Sequence, residues 1–421
     1  YSYLDKYILT GALRYDGSDI IGNDNQFTPL WNVGLRWNLH REEFMKRWMW
    51  VDQFAVRGGF GYTGSIDKNA LPFVVMTLGQ SVIYDGQTVP TSFSYPNPNV
   101  KWQTKQDMNV GLDLSLFDYR LELGVNYYNN ITRDVLDRKA LPYSSGRSEV
   151  TENVADIYNS GWEIDLGVTL LKNKSFQWYA KANIAINDNK VKNTYYKDTK
   201  DLPKATLSNA HQFVENQPVN GWYGYKFAGI NPINGAVMTY TGNGEATLDM
   251  SVSGATWPIP SVFYLGNLTP PVVGGFSTSA NWKQLIFSAN FEFKTGHKIK
   301  SFNTFRSLDA RNRHTSEANR WREPGDITNV PAMSEAFTTY SSYMYDILLE
   351  KGNYLRCSYM TLGYNLKPEW LHKIGFSTAR LSFTAKDLFT VSSYSGIDPA
   401  LMGSFGYPNS RKYTITLNVG F

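Results

Sequence analysis

The segment at residues 298–344 concentrates the side chains best suited to hold a ligand. The candidate substrate-binding residues there are Arg306, Arg311, Asn312, Arg313 and Trp321. An arginine guanidinium can grip a carboxylate through two parallel hydrogen bonds, and a tryptophan ring offers a flat apolar face to a sugar or a peptide group. Arginine favours an anionic or peptide ligand and aromatic residues favour a glycan, so both classes stay open. Trp321 and its neighbour Arg320 have a second interpretation, in which they only hold the segment together.

The residue types that usually carry catalysis form no recognisable constellation in this sequence. The histidines are His40, His211, His297, His314 and His372. None has a second histidine at metal-ligand spacing, and the chain contains no H-E-x-x-H, Walker or G-x-S-x-G motif. Glu163 and Asp165 share one face of a predicted strand, where a polar lining is a simpler explanation than a catalytic pair. We therefore predict no enzyme activity, no metal and no cofactor.

The elements that must position these residues are strands with one apolar and one polar face. The last strand has its apolar face at Tyr413, Ile415, Leu417, Val419 and Phe421, and the residues between them are threonine, asparagine and glycine. A period of two residues is typical of a strand that separates two environments. A closing strand that ends on phenylalanine is typical of bacterial outer-membrane barrels. Tyr413 and Phe421 are therefore the predicted barrel-assembly signal.

The same alternation predicts about fourteen strands along the chain. They lie near residues 3–16, 27–40, 51–64, 102–117, 119–136, 154–171, 175–191, 221–230, 236–242, 273–283, 285–297, 345–366, 377–391 and 409–421. Several approach the 9–11 residues or so that a tilted strand needs to cross a bilayer. Alternation breaks near Arg356, which predicts a β-bulge there.

Composition agrees with a membrane barrel better than with a soluble domain. Charged residues make up only 19% of the 421 residues and aromatic residues 15%, yet mean hydropathy is −0.37. No apolar run is long enough for a transmembrane helix. A barrel explains these facts, because every second strand residue faces a polar lumen. The net charge of +4 is spread along the chain, so no nucleic-acid partner is predicted. Cys357 is the only cysteine in the sequence, so a disulfide within the chain is excluded.

The predicted connections differ in length on the two sides of the sheet. Tight turns are expected at 117–119, 172–174 and 283–284, and long loops near 65–101, 192–220, 243–272 and 298–344. Short turns on one side and long loops on the other are typical of outer-membrane barrels. With residue 421 on the periplasmic side, every long loop lies outside the cell. A soluble antiparallel sandwich also alternates, but so many long strands would leave edges open to aggregation.

Short phrases spread over the whole chain resemble the C-terminal part of the SusC/RagA-type TonB-dependent transporters. They are KYILT (6–10), LRYDGS (13–18), VRGGFGYTG (56–64), PNPNVKWQT (96–104), NVGLD (109–113), YYN (127–129), NSGWE (159–163), NRW (319–321), GNYLR (352–356), LGY (362–364), YSGIDP (394–399) and YPNSR (407–411). Each phrase is weak alone, whereas their order and spacing together are specific.

The resemblance implies an all-β, transmembrane antiparallel barrel of twenty-two strands, of which residues 1–421 would supply about the last fourteen as part of one domain. It implies an outer-membrane importer of glycans or peptides in a Gram-negative bacterium of the Bacteroidota. The implied partners are the lipid bilayer, a SusD-like surface lipoprotein, and the TonB complex through an N-terminal part that precedes this chain. The resemblance also implies a dimer of transporter–lipoprotein pairs.

Three other functions stay open at this point. A complete fourteen-stranded barrel could close on itself and act as a passive channel, because its strand number is even. A barrel enzyme would need a catalytic group on the outer rim, and a structural or adhesive barrel would need none. Energy-dependent uptake would separate the importer from all three.

Overall fold

The computed structural model describes residues 1–21, 25–66, 76–84, 87–93, 100–141, 144, 149–199, 213–248, 261–301, 318–332, 345–371, 375–402 and 406–421. The strands are β1 (Ser2–Tyr3), β2 (Tyr7–Gly17), β3 (Phe27–Asn38), β4 (Val51–Ser65), β5 (Met76–Tyr84), β6 (Gln87–Phe93), β7 (Gln103–Leu116), β8 (Leu121–Ala140), β9 (Glu149–Lys172), β10 (Phe176–Lys192), β11 (Gly221–Gly224), β12 (Phe227–Ile230), β13 (Val237–Tyr240), β14 (Ala246–Leu248), β15 (Phe263–Asn267), β16 (Val272–Trp282), β17 (Leu285–Thr295), β18 (Lys298–Lys300), β19 (Leu349–Lys351), β20 (Tyr354–Asn365), β21 (Thr378–Ser392) and β22 (Lys412–Gly420). Short 3-10 helices lie at Leu39–Arg41, Glu43–Arg47, Asp346–Leu348 and Pro399–Leu401, and one α-helical turn lies at Pro368–Leu371.

One large antiparallel sheet dominates the described residues. Its order is β1-β2-β3-β4-β7-β8-β9-β10-β16-β17-β20-β21-β22, so each strand pairs with the next sheet strand along the chain. Apart from the two-residue β1, its strands are 9 to 24 residues long. No ladder among the described residues joins β1 or β2 to β22. The predicted all-β antiparallel architecture is confirmed.

The alternation of the sequence becomes two different faces of this sheet. Leu362, Phe383 and Ile415 are cross-strand neighbours on the apolar face, and their exposed fractions are 53%, 46% and 74%. One residue along, Thr361, Thr384 and Thr414 form a row on the polar face. A sheet that faces lipid requires a continuous apolar surface of this kind. In water the same surface would promote aggregation.

Arginine on the apolar face should therefore destabilise the protein far more than arginine on the polar face. In bilayers, Ile415→Arg is expected to lower the free energy of unfolding by about 2–4 kcal/mol, because the charge would enter the hydrocarbon. Thr414→Arg, on the same strand with the opposite orientation, is the matched control and should cost less. Urea unfolding of both variants in lipid vesicles measures the difference. Equal costs would contradict the assignment of the faces.

Two of the fourteen predicted strands are not part of the large sheet. Residues 221–230 and 236–242 form the four-residue strands β11, β12 and β13, which pair in two small separate sheets. These segments are too short to cross a bilayer, and they bury residues in a loop core instead of exposing one face. The prediction of these two as barrel strands was wrong, and the described sheet has twelve long strands. Because the strand count falls by two, an even number, the long loops still all lie at the same edge of the sheet.

The bulge predicted near Arg356 is confirmed. The register of β20 shifts between Cys357 and Tyr359 relative to β21, and the pairing with β17 shifts at the same place. The extra residue is Ser358. The bulge lets the residues on either side of it keep their faces, with Leu362 on the apolar side and Arg356 on the polar side.

The connections at one edge of the sheet are mostly tight turns. Positive φ angles at Phe117, Asp118 and Tyr119 reverse the chain between β7 and β8, and Lys283 does the same between β16 and β17. Two connections at this edge are longer: residues 39–50 hold two 3-10 helices, and residues 366–377 hold the α-helical turn. Within the described residues, no helix has the length and apolarity to cross a membrane.

Candidate functional site

The described residues of three long connections at the opposite edge of the sheet contact one another, and we call them the loop assembly. The connections are residues 193–271, 296–353 and 393–411. The first two connections share a hydrophobic core that contains Tyr196, Val214, Tyr223, Tyr225, Ile230, Val237, Val262, Val330, Tyr345 and Leu348. This core lies outside the large sheet, so the edge with long loops carries a folded structure of its own.

The first two connections are joined around Tyr225 and Tyr345. These fully buried tyrosines form a β-bridge, and their ring centroids are 5.9 Å apart. The backbone N–H of Phe227 donates to the Asp346 carboxylate at 2.9 Å, and the N–H of Asp346 donates to the Tyr225 carbonyl at 3.0 Å. The Trp222 indole N–H donates to the Lys298 carbonyl at 2.8 Å. The aromatic core and these reciprocal bonds fix the two loops relative to each other.

The third connection is attached by polar contacts. The backbone N–H and the hydroxyl of Ser395 donate to the Glu350 carboxylate at 2.7 and 2.6 Å. The Arg356 guanidinium forms a buried ion pair with Asp398 at 2.5 Å and donates to the Thr390 hydroxyl at 3.1 Å. The Asp398 carboxylate also accepts from the backbone N–H of Ala400. This bond caps the N-terminus of the 3-10 helix Pro399–Leu401.

Of the predicted substrate-binding residues, the structure describes Trp321. Its indole N–H donates to the Pro232 carbonyl at 3.1 Å, and its ring packs against the core of the loop assembly. This placement fits the interpretation in which Trp321 holds the loop together, and its contact with substrate stays a prediction. The other four, Arg306, Arg311, Asn312 and Arg313, lie outside the described residues.

The predicted assembly-signal residues lie at the end of the large sheet. Tyr413 stacks on Phe383 with ring centroids 6.1 Å apart, on the apolar face. Phe421 follows β22, is 91% exposed, and meets Phe376 edge to face at 5.1 Å. Their role in barrel assembly stays a prediction.

Several acidic side chains on the polar face have basic or amide partners. Asp113 accepts from Arg36 at 2.9 Å and from Arg57 at 2.8 Å. Glu163 accepts from the Asn126 amide at 3.2 Å, whereas Asp165 lies 3.9 Å from Lys181. The two acids thus have separate partners, as expected for a polar lining. Within the described residues, no group of three or more His, Cys, Asp or Glu is placed to hold a metal.

A cavity of about 490 Å³ lies where the polar face meets the loop assembly. β10 continues beyond Ile186, its last residue paired with β16, and the loops at 216–220 and 267–271 surround this extension. Asn187 and Asn189 of β10, Asn220 of the first loop, and Tyr264 and Asn267 of β15 line the cavity. We call it the amide pocket, and its volume is in the usual range for ligand sites.

Three asparagines of the amide pocket, Asn187, Asn220 and Asn267, are each fixed by one side-chain hydrogen bond. The Asn187 side-chain oxygen accepts from the Tyr128 hydroxyl at 2.7 Å, and that of Asn267 accepts from the Tyr264 hydroxyl. The Asn220 amide nitrogen donates to the Thr269 hydroxyl at 3.1 Å. Within the described part of the chain, the other amide atom of each of these three asparagines has no protein partner. The pocket therefore offers two donors and one acceptor with fixed positions.

Sequence reasoning missed this pocket. Its only local signal is Asn187-Asp188-Asn189-Lys190, which continues the polar pattern of β10. Ile157 lies 30 positions before Asn187, and the other lining residues follow Lys190 by 26 or more positions in two loops and β15, so only the fold brings them together.

His297 lies at the root of the second connection and is 3% exposed. Burial lowers its pKa from the ordinary value, and the positive charge of Lys294 lowers it further. Its Nδ1 has no hydrogen-bond partner within the described residues. Gly352 packs directly on the imidazole, and a Cβ there would collide with the ring. The lowered pKa favours the neutral form of the His297 imidazole in the folded protein.

Acidification should loosen this root. Because the folded protein holds His297 with a lowered pKa, its stabilising contribution is present above the ordinary pKa of about 6.5 and is lost as the pH falls below it. Hydrogen exchange of residues 296–300, corrected for the intrinsic rate, should increase between pH 7.5 and pH 5.5. The His297→Gln variant should lose this pH dependence, and an equal increase in the variant would assign it to another group.

Comparisons with known proteins agree on one relationship. A family model described as "TonB dependent receptor-like, beta-barrel" matches residues 1–292. The "TonB-dependent receptor P3" of Formosa agariphila is 29% identical over the whole chain, and the "TonB-dependent receptor SusC" of Bacteroides thetaiotaomicron is 23% identical. The chain spans 44% and 43% of these relatives, respectively.

A solved structure shows the same arrangement of strands. The structure of "the RagAB peptide transporter" superimposes with a TM-score of 0.78 at 25% identity. It covers 99% of this chain, and the chain covers 46% of that protein. The same transporter in an "open-open" state also gives a TM-score of 0.78.

Proposed function

Because the chain belongs to the TonB-dependent receptor family of outer-membrane β-barrels, we propose that it forms part of the wall of an energy-coupled importer of glycans or peptides. Its localisation is the outer membrane of a Gram-negative bacterium. The observation that carries the proposal is the superposition of 99% of the chain on the RagAB peptide transporter. Its relatives are named as receptors and not as enzymes, which supports a role in transport.

The whole of residues 1–421 is proposed to be one continuous part of a single barrel domain. The chain spans less than half of its relatives, and the two ends of its described sheet are not paired with each other. Further strands of a longer polypeptide would pair with β2 and β22 and close the barrel. In this proposal the TonB complex contacts that other part, and the wall described here acts as scaffold and conduit.

The loop assembly is proposed to lie on the extracellular side, where substrate arrives. It would meet a SusD-like lipoprotein there, and Trp321, Arg306, Arg311, Asn312 and Arg313 remain the proposed substrate contacts. The name of the RagAB structure states that this relative transports peptides. A folded rim supports the proposal, because a partner that closes over a pore needs a fixed surface to dock on.

Uptake in the native bacterium tests this function. Fluorescent oligosaccharides and fluorescent peptides would be offered to wild-type cells, to cells lacking this gene, and to cells lacking TonB. Energy-coupled import predicts that at least one class enters only wild-type cells. Uptake that needs this gene but not TonB would assign a passive channel. Uptake that is unchanged without the gene would contradict any import function.

A further inference from the structure

We infer that the amide pocket is a subsite for a neutral polyhydroxylated ligand, such as one sugar unit of a glycan. The inference rests on the proposed import function and narrows its substrate class. The described lining of the amide pocket carries no net charge. Of the described residues that line it, only Asp188 and Lys190 are charged, and they neutralise each other in an ion pair at 2.7 Å. An ionic ligand would find no free counter-charge there.

The hydrogen-bonding groups of the pocket match hydroxyl groups. A hydroxyl both donates and accepts, so adjacent hydroxyls of a sugar can accept from the Asn187 and Asn267 amide nitrogens and donate to the Asn220 oxygen. Tyr128, Tyr264 and Thr269 already hold these amides by their other atoms. Such pre-orientation reduces the entropy lost when a flexible neutral ligand binds.

The remaining lining is apolar and suits the C–H faces of a sugar ring. Ile157 and Val219 lie beside the asparagines, and Pro218, Pro270 and Pro271 add rigid rings. Small-ligand sites combine an apolar lining with a few placed polar groups, as here. Three separate segments contribute: the polar face of β9 and β10, the loop before β11 and the loop after β15.

An extended peptide fits this pocket less well, because part of the backbone edge of β10 is already bonded to the loops. Asn187 N–H donates to the Pro271 carbonyl at 2.8 Å, and Val191 N–H donates to the Gln217 carbonyl at 2.8 Å. Asn216 N–H donates to the Val191 carbonyl at 2.9 Å. Peptides that bind as an added strand need a free row of such groups. The loops leave side-chain amides as the main recognition groups.

Calorimetry on the full-length transporter, purified in detergent, tests the inference. The probes are neutral oligosaccharides, uronic-acid oligosaccharides and a library of short peptides. A neutral oligosaccharide should bind, and the double variant Asn187→Ala/Asn267→Ala should weaken it about tenfold through the loss of two hydrogen bonds. Asn183→Ala is the matched control, since Asn183 lies on the same face of β10 outside the pocket and should not change affinity. Heat-modifiable migration in gels confirms that each variant is folded.

The outcomes separate the inference from the import function. Preferred binding of peptides or acidic oligosaccharides that the double variant weakens would overturn the neutral ligand class. Neutral oligosaccharide binding that the double variant leaves unchanged would overturn the location. Either result, together with TonB-dependent uptake, would leave the proposed importer standing. Loss of TonB dependence would instead refute the importer, whatever the pocket binds.

Discussion

The Arg356→Ala variant should be destabilised by about 3–5 kcal/mol, because it leaves the Asp398 carboxylate buried without its partner. The side chains of both residues are less than a tenth exposed. Arg356 also bonds Thr390 and lies 5.4 Å from the ring of Tyr354, so several contacts are lost together. Urea unfolding in lipid vesicles measures the change, and protease cleavage within residues 393–402 reports release of the third loop connection.

The double variant Arg356→Ala/Asp398→Ala provides the control. Removal of both charges takes away the unpaired carboxylate, so the double variant should be less destabilised than the sum of the two single variants. Asp398→Asn keeps an oxygen for the Ala400 N–H and separates the capping role from the charge. Additive losses would mean that the ion pair does not couple β20 to the loop.

The Tyr345→Ala variant should unfold the loop assembly without unfolding the barrel. Tyr345 is fully buried against Tyr225, and removal of a large aromatic side chain from a core costs about 3–5 kcal/mol. The sheet strands pair with each other and not with this core, so their stability should remain. Hydrogen exchange should show lost protection in residues 221–240 and 345–351, with β7 to β10 unchanged.

Tyr345→Phe is the matched control, because it keeps the ring and the β-bridge to Tyr225. It should retain most of the protection in the loops. If Tyr345→Ala left the loops protected, the first two connections would not share one core. If it unfolded the sheet as well, the loop assembly and the barrel wall would be a single cooperative unit.

The large sheet was predictable because its signal is local. The alternation from Tyr413 to Phe421 can be read from consecutive residues alone, because one face of the strand meets lipid and the other does not. The segments at 221–230 and 236–242 show similar local alternation, but they were mistaken for barrel strands because their burial depends on the loop at 345–348. Local pattern does not distinguish a lipid-facing strand from a short strand buried in a loop core.

Contacts between distant segments were beyond sequence reasoning. The phrases GNYLR and YSGIDP were both recognised, yet only the fold shows that Arg356 of one pairs with Asp398 of the other. Trp321 was recognised as a loop residue, but its bond to Pro232 depends on a segment 89 positions earlier. The amide pocket combines residues from β10 and from two loops, and no spacing in the sequence connects them.

The intact mass of the natural protein in purified outer membranes tests most directly whether this chain is part of a larger importer. The chain has a mass of 47.8 kDa and spans 44% of its Formosa relative. We expect its peptides in a single outer-membrane species of more than twice that mass. An outer-membrane species at 47.8 kDa, with no second polypeptide to complete the barrel, would contradict the account and favour a small passive channel.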